Sequence, residues 1–220
     1  MYLFKATKVN NKWTAAKQLP FNKNSYSISN PSISLDGKTL YFNSNMPGGL
    51  GGNDIWKVDV SEGDVYGTPV NLGSKINTEG NEQFPSITDD NMLYFSSDSR
   101  QGLGGLDIYF INLNKTEDAQ NLGKPVNSEK DDFSFSFNTK RNLGFFSSNR
   151  EESDDLYIAK PLCSVESTIL VTNAVTGKIL EGATVAILDD KKNIIETKTS
   201  DAKGNVDFIL ELIRSIKTKN

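Results

Sequence analysis

Short segments along this chain alternate between apolar and polar side chains, and turn-forming residues separate them. The segment Trp56-Lys57-Val58-Asp59-Val60 alternates strictly, which is typical of a strand with one buried face. Clusters of Gly, Asp and Ser separate such segments, for example at Asp36-Gly37 and at residues 61–64. No segment shows a convincing helical period. The pattern therefore predicts an all-β fold.

Three motifs recur in the same order with a period near fifty residues. The first is an aromatic pair followed by small polar residues, with copies at Tyr41-Phe42-Asn43-Ser44, Tyr94-Phe95-Ser96-Ser97 and Phe145-Phe146-Ser147-Ser148. The second places an aspartate before an apolar strand, at Asp54, Asp107 and Asp155, with spacings of 53 and 48 residues. The third links the units and reads Leu19-Pro20-Phe21-Asn22, then Asn71-Leu72-Gly73 leading to Asn77, then Asn121-Leu122-Gly123 leading to Asn127. Three motifs in one order at one period indicate a repeat architecture.

Each repeat holds four strand candidates, which in the first full unit are residues 31–34, 40–44, 54–60 and 66–72. Four strands at this period are typical of a β-propeller blade. Residues 2–22 match the last two strands of an earlier blade, because Trp13 aligns with Tyr66, and the third unit lacks an outer strand. We therefore predict a propeller domain over residues 1–162, made of a half blade and about three further blades.

A different pattern begins after Pro161 and occupies residues 165–212. It holds four strand candidates, at residues 167–172, 182–188, 194–199 and 206–210. A β-sandwich usually needs roughly seven strands, so this second domain is predicted to be truncated, with residues 213–220 as a tail. Closed propellers usually have about 4–8 blades. We therefore expect the sequence to be a fragment of a longer protein.

The composition removes several classes of chemistry. The chain has no histidine, which excludes a Ser-His-Asp triad, a Cys–His pair and a His-ligated zinc ion within it. Its one cysteine, Cys163, is interpreted as a small buried apolar residue. A net charge of −4 is a poor match for nucleic acid. No stretch approaches the roughly 18 apolar residues of a membrane helix, and the first residues do not resemble a signal peptide.

The aspartates of the repeat motif, Asp36, Asp54, Asp107 and Asp155, are predicted to be structural. The ones that precede strands are expected to accept backbone N–H groups of the loop before the strand. A metal role stays open beside this interpretation, because calcium binds clusters of carboxylate oxygens. The best calcium candidates are Glu151, Asp154 and Asp155, although a solvated turn explains them as well. No other metal ligand and no cofactor is predicted.

Glycine-rich loops at residues 48–52 and 102–105 raise the question of phosphate binding. A phosphate-binding loop opens a helix, whereas each of these loops opens a strand candidate, so glycine freedom at positive φ is the expected reason for them. Asp36-Gly37 departs from the Asp box of sialidase propellers, and the G-x-S-x-G motif of serine hydrolases is missing from the sequence. The chain is therefore predicted not to be an enzyme, with no catalytic and no cofactor-binding residue.

The phrase Ser34-Leu35-Asp36-Gly37-Lys38-Thr39-Leu40-Tyr41-Phe42 resembles the WD40-like repeat of TolB-type propellers. A more extended form, with Met46-Pro47-Gly48-Gly49, Gly104-Gly105-Leu106-Asp107-Ile108-Tyr109 and Asp132-Phe133-Ser134-Phe135, is similar to the propeller of bacterial OmpA-family outer-membrane proteins. Residues 165–212 resemble the carboxypeptidase regulatory-like domain, a transthyretin-like β-sandwich that follows the propeller in that family.

The resemblance implies a periplasmic protein associated with the outer membrane. It implies a non-catalytic scaffold that binds protein partners of the cell envelope, and in some members supports a secretion machinery. Peptidoglycan binding would belong to a C-terminal OmpA-like domain that is not part of this sequence. The alternative is a ligand-binding or carbohydrate-active propeller, which would gather carboxylates, arginines and aromatic side chains in its central channel. Neither nucleic acid nor a membrane span is expected.

Overall fold

The computed structural model describes residues 1–161, 164–188, 192 and 194–211. Cys163 and the predicted tail 213–220 lie outside the described residues, so the expectations for them stay predictions. The chain divides into two compact units, Met1–Lys160 and a second one that starts at Pro161. The domain limits of 1–162 and 165–212 likewise stay predictions.

The first unit opens with a hairpin of four very short strands. These are β1 (Phe4–Lys5), β2 (Lys8–Val9), β3 (Lys12–Trp13) and β4 (Lys17–Gln18). Strand β1 pairs with β4, and β2 pairs with β3, both antiparallel. The same nested pairing recurs in the next sheet, so this hairpin corresponds to the last two strands of a blade.

The next sheet, called blade 1, contains β5 (Ile28–Ile33), β6 (Thr39–Ser44), β7 (Asp54–Ser61), β8 (Val65–Tyr66) and β9 (Val70–Asn71). Its strands are antiparallel, and both β8 and β9 pair with β7. The prediction of one outer strand over residues 66–72 is wrong, because Gly67-Thr68-Pro69 separates two short strands. Proline cannot donate to a strand ladder, which accounts for the break.

Two further sheets follow. Blade 2 contains β10 (Glu82–Ile87), β11 (Met92–Ser97), β12 (Asp107–Asn112) and β13 (Gln120–Asn121) in sequential antiparallel order. Blade 3 contains β14 (Asp132–Asn138), β15 (Leu143–Ser148) and β16 (Asp155–Ala159). A 3₁₀ turn at Thr139–Arg141 joins β14 to β15 and is the helical element of the described chain.

The first strand of every blade carries a β-bulge at the same place. Each bulge contains one residue in the left-handed region, with φ of 50° at Asn30, 54° at Phe84 and 58° at Ser134. A bulge adds one residue to its strand and increases the local twist. The repeated bulges therefore give the three first strands the same shape, and these strands are neighbours from one blade to the next.

The apolar core lies between the faces of adjacent sheets. Tyr41 and Ile55 of blade 1 belong to the same buried cluster as Leu93 and Phe95 of blade 2. Ile108 of blade 2 belongs to the next buried cluster, together with Phe135 and Phe146 of blade 3. The first hairpin packs on blade 1 in the same way, through Leu3, Leu19 and Phe21. Antiparallel sheets stacked face to face by such clusters are propeller blades.

The second unit is also built from strands, namely β17 (Ser164–Leu170), β18 (Thr184–Leu188), β19 (Ile194–Thr199) and β20 (Asn205–Glu211). Strand β17 pairs with β20, and β18 pairs with β19, both antiparallel. Val206 and Phe208 are its buried apolar side chains among the described residues. The predicted fold class, all-β with part of a propeller followed by a small β unit, is confirmed. Among the described residues, no helix has the length and apolar character to cross a bilayer.

Candidate functional site

One side-chain contact occurs three times in the first unit, and we call it the asparagine clamp. Asn77 accepts the Ile55 N–H through Oδ1 at 2.7 Å and donates from Nδ2 to the Ile55 carbonyl at 2.9 Å. Asn127 clamps Ile108 in the same way, at 2.8 Å on both sides. Asn22 clamps Leu3 at 3.1 and 2.8 Å. In each case the side chain supplies the acceptor for the strand N–H, while the strand carbonyl also accepts a backbone N–H from the leucine of the linking motif.

The Asn-Leu-Gly motif positions the clamp. Asn71 Oδ1 accepts the Gly73 N–H at 2.8 Å and an Nδ2 hydrogen of Asn77 at 2.9 Å. Gly73 has a φ of +74°, which favours glycine at this turn. Asn121 and Asn127 repeat the contact at 2.8 Å in the next blade, again through a turn with a left-handed glycine. The recurring sequence motif is therefore a device that holds one blade edge.

The aspartates that begin β7 and β12 lie in matching environments. Asp54 is buried and accepts the backbone N–H groups of Leu50 and Gly51. Asp107 is equally buried and accepts those of Leu103 and Gly104, at 2.6 and 3.2 Å. Each carboxylate thus fixes the loop that precedes its own strand.

A neighbouring asparagine completes this site in blade 1. Asn71 donates from Nδ2 to Asp54 Oδ2 at 2.8 Å. In blade 2 the equivalent atoms, Asn121 Nδ2 and Asp107 Oδ1, are both buried and lack a hydrogen-bond partner in the described structure.

The two remaining motif aspartates differ from this pair. Asp36 is exposed in the turn between β5 and β6, where it accepts a hydrogen bond from Ser34 Oγ at 2.6 Å and one from the Lys38 N–H at 3.0 Å. These bonds hold the pKa of Asp36 below its usual value, and the bond from Ser34 has the larger effect. Asp155 is exposed at the start of β16 and accepts a bond from Ser153 Oγ at 3.3 Å. The four motif aspartates therefore do not share one role.

The calcium candidates Glu151, Asp154 and Asp155 are all exposed. Among the described residues, no group of three His, Cys, Asp or Glu side chains is arranged to hold a metal ion. Calcium prefers six to eight converging oxygens. A calcium site in this turn stays an untested prediction.

The glycines of the glycine-rich loops are needed for a different reason from the one expected. Of their glycines, only Gly48 has a positive φ, so the expectation of left-handed backbone is wrong for the others. A Cβ at Gly51 would overlap the carbonyl oxygens of Thr78 and Gly80, and a Cβ at Gly104 would overlap that of Lys130. Each loop lies directly against the backbone that enters the next blade. Glycine is required at these positions because the loop backbone and the backbone of the next connection approach each other closely.

Two buried carboxylates and two arginines form a second repeated set, which the sequence analysis missed. Glu82 is fully buried and accepts the N–H of Thr78 at 2.7 Å, its hydroxyl at 2.7 Å and the Ser97 hydroxyl at 2.6 Å. Asp132 occupies the matching position at the start of β14, accepts the N–H and hydroxyl of Ser128 at 2.6 and 2.7 Å, and forms an ion pair with Arg150.

The arginines Arg100 and Arg150 follow the aromatic pair of blades 2 and 3. Arg100 donates to the carbonyls of Lys75 and Ile76 at 2.8 and 2.9 Å, and its guanidinium lies 5.8 Å from the ring centres of Phe95 and Tyr109. Arg150 donates to the carbonyl of Pro125 at 3.0 Å and stacks on an aromatic pair in the same way. The sequence does carry a signal for this set, because an arginine follows the aromatic pair by a few residues in both blade 2 and blade 3.

A groove of about 880 Å³ lies between the first hairpin and blade 1. Leu3, Leu19 and Leu40 line it, and an ion pair between Lys5 and Asp64 lies at its wall. The hydrogen bond that Lys5 donates to Asp64 raises the pKa of Lys5. The groove is not the central gathering of carboxylates, arginines and aromatic residues expected of a ligand-binding propeller.

Leucines occupy the tips of the two glycine-rich loops. Leu50 is 45% exposed, and Leu103, at the equivalent position of the next blade, is 43% exposed. The backbone N–H of each is held by the buried aspartate of its own loop. Two apolar side chains are thus presented at the same end of adjacent blades on backbone that is fixed beneath them. We call this pair the leucine tips.

No family model and no curated protein matches the chain. Among solved structures, it is similar to TolB from Acinetobacter baumannii, with 16% identity, a TM-score of 0.47, and coverage of 66% of this chain and 32% of that chain. It is similar to a chain of the nidogen/laminin complex, with 12% identity, a TM-score of 0.50, and coverage of 72% and 54%. A third structure, described as a TolB from Agrobacterium tumefaciens, has 12% identity, a TM-score of 0.46, and coverage of 96% and 70%.

The chain spans about a third of the length of the first of these proteins and about half of the second. At these identities the similarity concerns the fold, which is that of a propeller.

Proposed function

We propose that this chain is a non-catalytic protein-binding module of the cell envelope. The observation that carries the proposal is the pair of leucine tips, Leu50 and Leu103, which are exposed apolar side chains on rigid, repeated loops. Loops on a rigid scaffold are the usual place for binding residues. Because the loop backbone is already ordered, a partner would lose little of its binding free energy to ordering it.

The charged groups support a scaffold rather than a reaction centre. Asp54, Asp107 and Glu82 are buried and accept hydrogen bonds from the groups around them, and Asp132 is held by Ser128 and Arg150. A glycosidase propeller would need two carboxylates placed around a substrate space. These four carboxylates instead hold loops and blade edges, which favours binding without chemistry.

The envelope setting rests on the sequence resemblance. Similarity to OmpA-family propellers supports a periplasmic protein associated with the outer membrane. In this proposal, residues 1–162 are the WD40-like propeller, residues 165–212 a carboxypeptidase regulatory-like domain and residues 213–220 a tail. The two antiparallel strand pairs of the second unit are compatible with such a sandwich. Peptidoglycan would be reached only through a domain outside this sequence.

Site-specific photo-crosslinking tests the proposal. A photoreactive phenylalanine analogue is placed at position 50 or 103, and the protein is irradiated in envelope preparations of the source cell. The matched controls carry the analogue at Leu35 or Val65, which are at least as exposed. Both lie at the opposite end of the strands, Leu35 in the turn between β5 and β6 and Val65 at the start of β8. We expect the same protein-sized adduct from positions 50 and 103 and none from the controls.

Two results would contradict the proposal. Adducts of equal yield from all four positions would show that the leucine tips are not a binding surface. A glycan or other small ligand that binds the chain and is displaced by changes near the blade axis, without any protein adduct, would favour the ligand-binding alternative. The aspartate-to-asparagine changes D54N and D107N, tested for loss of any hydrolytic activity, complete the comparison.

A further inference from the structure

The outer edge of blade 3 differs from those of the other blades. In blades 1 and 2 the third strand, β7 or β12, pairs on one side with the second strand and on the other with a short outer strand. In blade 3 the third strand, β16, pairs with β15, and the described residues supply no strand on its other side. Strand edges of this kind are templates for an added strand.

Among the residues that the structure describes, no asparagine clamps the equivalent position at this edge. Ile55 lies opposite Asn43, and Ile108 lies opposite Ser96, in the pairing of the second and third strands. Leu156 lies opposite Ser147 in the same register. Because Ile55 and Ile108 direct their N–H and C=O groups outward to an asparagine, the same register directs those of Leu156 outward as well.

The side chain of Leu156 is also uncovered. Ile55 and Ile108 are 0% exposed, because the next blade covers them, whereas Leu156 is 61% exposed. Its neighbour on the sheet face, Phe145, is 37% exposed, whereas the equivalent Tyr41 is 7% exposed under blade 2. An apolar face and an open backbone edge therefore coincide at one place on blade 3.

We propose that the edge of β16 is a docking site for a polypeptide segment with the motif Asn-Leu-Gly-x-x-x-Asn. The segment adds a fourth antiparallel strand, and its second asparagine clamps the N–H and C=O of Leu156. The same motif already fills the equivalent edge of the other two blades, at Asn71-Leu72-Gly73 with Asn77 and at Asn121-Leu122-Gly123 with Asn127. Strand addition of this type is a general mode of peptide recognition.

The groups displayed by blade 3 fit this occupant better than they fit a small ligand. The added strand satisfies the outward backbone groups of Leu156, which no small apolar molecule can do. The apolar residue after the first asparagine, Leu72 in blade 1 and Leu122 in blade 2, packs against a buried cluster at each occupied edge. At blade 3 the corresponding leucine would reach the exposed Leu156 and Phe145. This inference concerns a different surface from the leucine tips and does not depend on them.

The test uses a synthetic peptide with the chain's own residues 116–128, which contain Asn121-Leu122-Gly123 and Asn127. A labelled peptide is titrated with the full chain, and amide hydrogen exchange is followed at Leu156. We expect one peptide per chain, at least tenfold slower exchange at Leu156, and at least tenfold weaker binding for a peptide that carries Asn127→Ala. On the protein side, Leu156→Asp should weaken binding at least tenfold, whereas Leu35→Asp, at a more exposed position in a distant turn, should not change it.

Three results would overturn the inference. The first is equal binding of the peptide and its Asn127→Ala form. The second is strong protection of Leu156 before any peptide is added, at all protein concentrations, which would mean that the chain covers the edge itself. The third is protection of Leu156 that appears only as the chain self-associates, which would make a second copy the occupant.

Discussion

The side-chain amide of Asn127 binds both backbone polar groups of Ile108, with Oδ1 2.8 Å from the nitrogen and Nδ2 2.8 Å from the oxygen. The two residues are 19 positions apart in sequence, and both are buried. One asparagine therefore ties the third strand of blade 2 to the connection that enters blade 3. The same bond at Asn77 ties blade 1 to blade 2.

Removal of the clamp should destabilise the first unit. We expect Asn127→Ala to lower the free energy of unfolding by about 1–3 kcal/mol, because the buried N–H of Ile108 would lose its acceptor. Denaturant titration of the purified chain measures the change. Asn114→Ala, at an exposed turn position, is the matched control and should change stability by less than about 0.5 kcal/mol. Equal effects of the two substitutions would contradict a structural role for Asn127.

The aspartates of the repeat motif should separate into two classes. Asp107→Ala leaves the N–H groups of Leu103 and Gly104 without their acceptor, so we expect a loss of about 1–3 kcal/mol. Asp155→Ala, at the equivalent sequence position but exposed, should cost less than about 0.5 kcal/mol. Thermal unfolding with and without calcium checks both. A metal role would appear instead as calcium stabilisation of the native chain that Asp155→Ala abolishes.

The glycine-rich loops should reject even one methyl group. Gly104→Ala places a Cβ against the carbonyl oxygen of Lys130, which should destabilise the chain by about 1–3 kcal/mol or separate blades 2 and 3 locally. Gly67→Ala is the control, since its new Cβ would meet no atom closer than 3.7 Å and its φ is not positive. Chemical denaturation compares the two variants. If Gly104→Ala is as stable as Gly67→Ala, close approach is not the reason for glycine.

The free energy of unfolding should depend on pH through Asp98. Burial raises its pKa, but hydrogen bonds from the N–H and Nδ2 of Asn81 and from Ser99 outweigh it, so the pKa of Asp98 lies below its usual value. A carboxylate whose pKa is lower in the folded than in the unfolded protein stabilises the fold at pH values above its unfolded pKa. That contribution to the free energy of unfolding is lost as the pH falls through the folded pKa.

The matched variant is Asp98→Asn, because Asn149 makes the same backbone contact in blade 3. We expect it to be less stable than the parent at pH 7, by under about 1 kcal/mol for so exposed a group. The difference should shrink and vanish as the pH falls through the lowered pKa of Asp98, because the parent carboxylate is then protonated. Unfolding curves at several pH values measure this, and a difference that grows on acidification would have the wrong sign.

The sequence predicted the blades well because their signals are local. The alternation at Trp56–Val58 and the recurrence of Asp54 at Asp107 both lie within single strands and their loops. The physical reason for the glycines could not be read in this way, because Gly51 meets Thr78 and Gly80 of the next connection only after the blades stack. The roles of Glu82 and Arg150 were missed for the same reason, since Glu82 also binds Ser97, which is 15 residues away, and Arg150 pairs with Asp132, which is 18 residues away.

Amide hydrogen exchange of the native chain tests the account most directly, by comparing Ile55 and Ile108 with Leu156. These three residues hold equivalent positions on the third strands, and the first two are clamped by an asparagine. We predict that the amides of Ile55 and Ile108 exchange about a hundredfold or more slowly than that of Leu156, a difference of about 2.8 kcal/mol in opening free energy. Similar exchange at all three amides would contradict the claim that the asparagine clamp holds the blade edges.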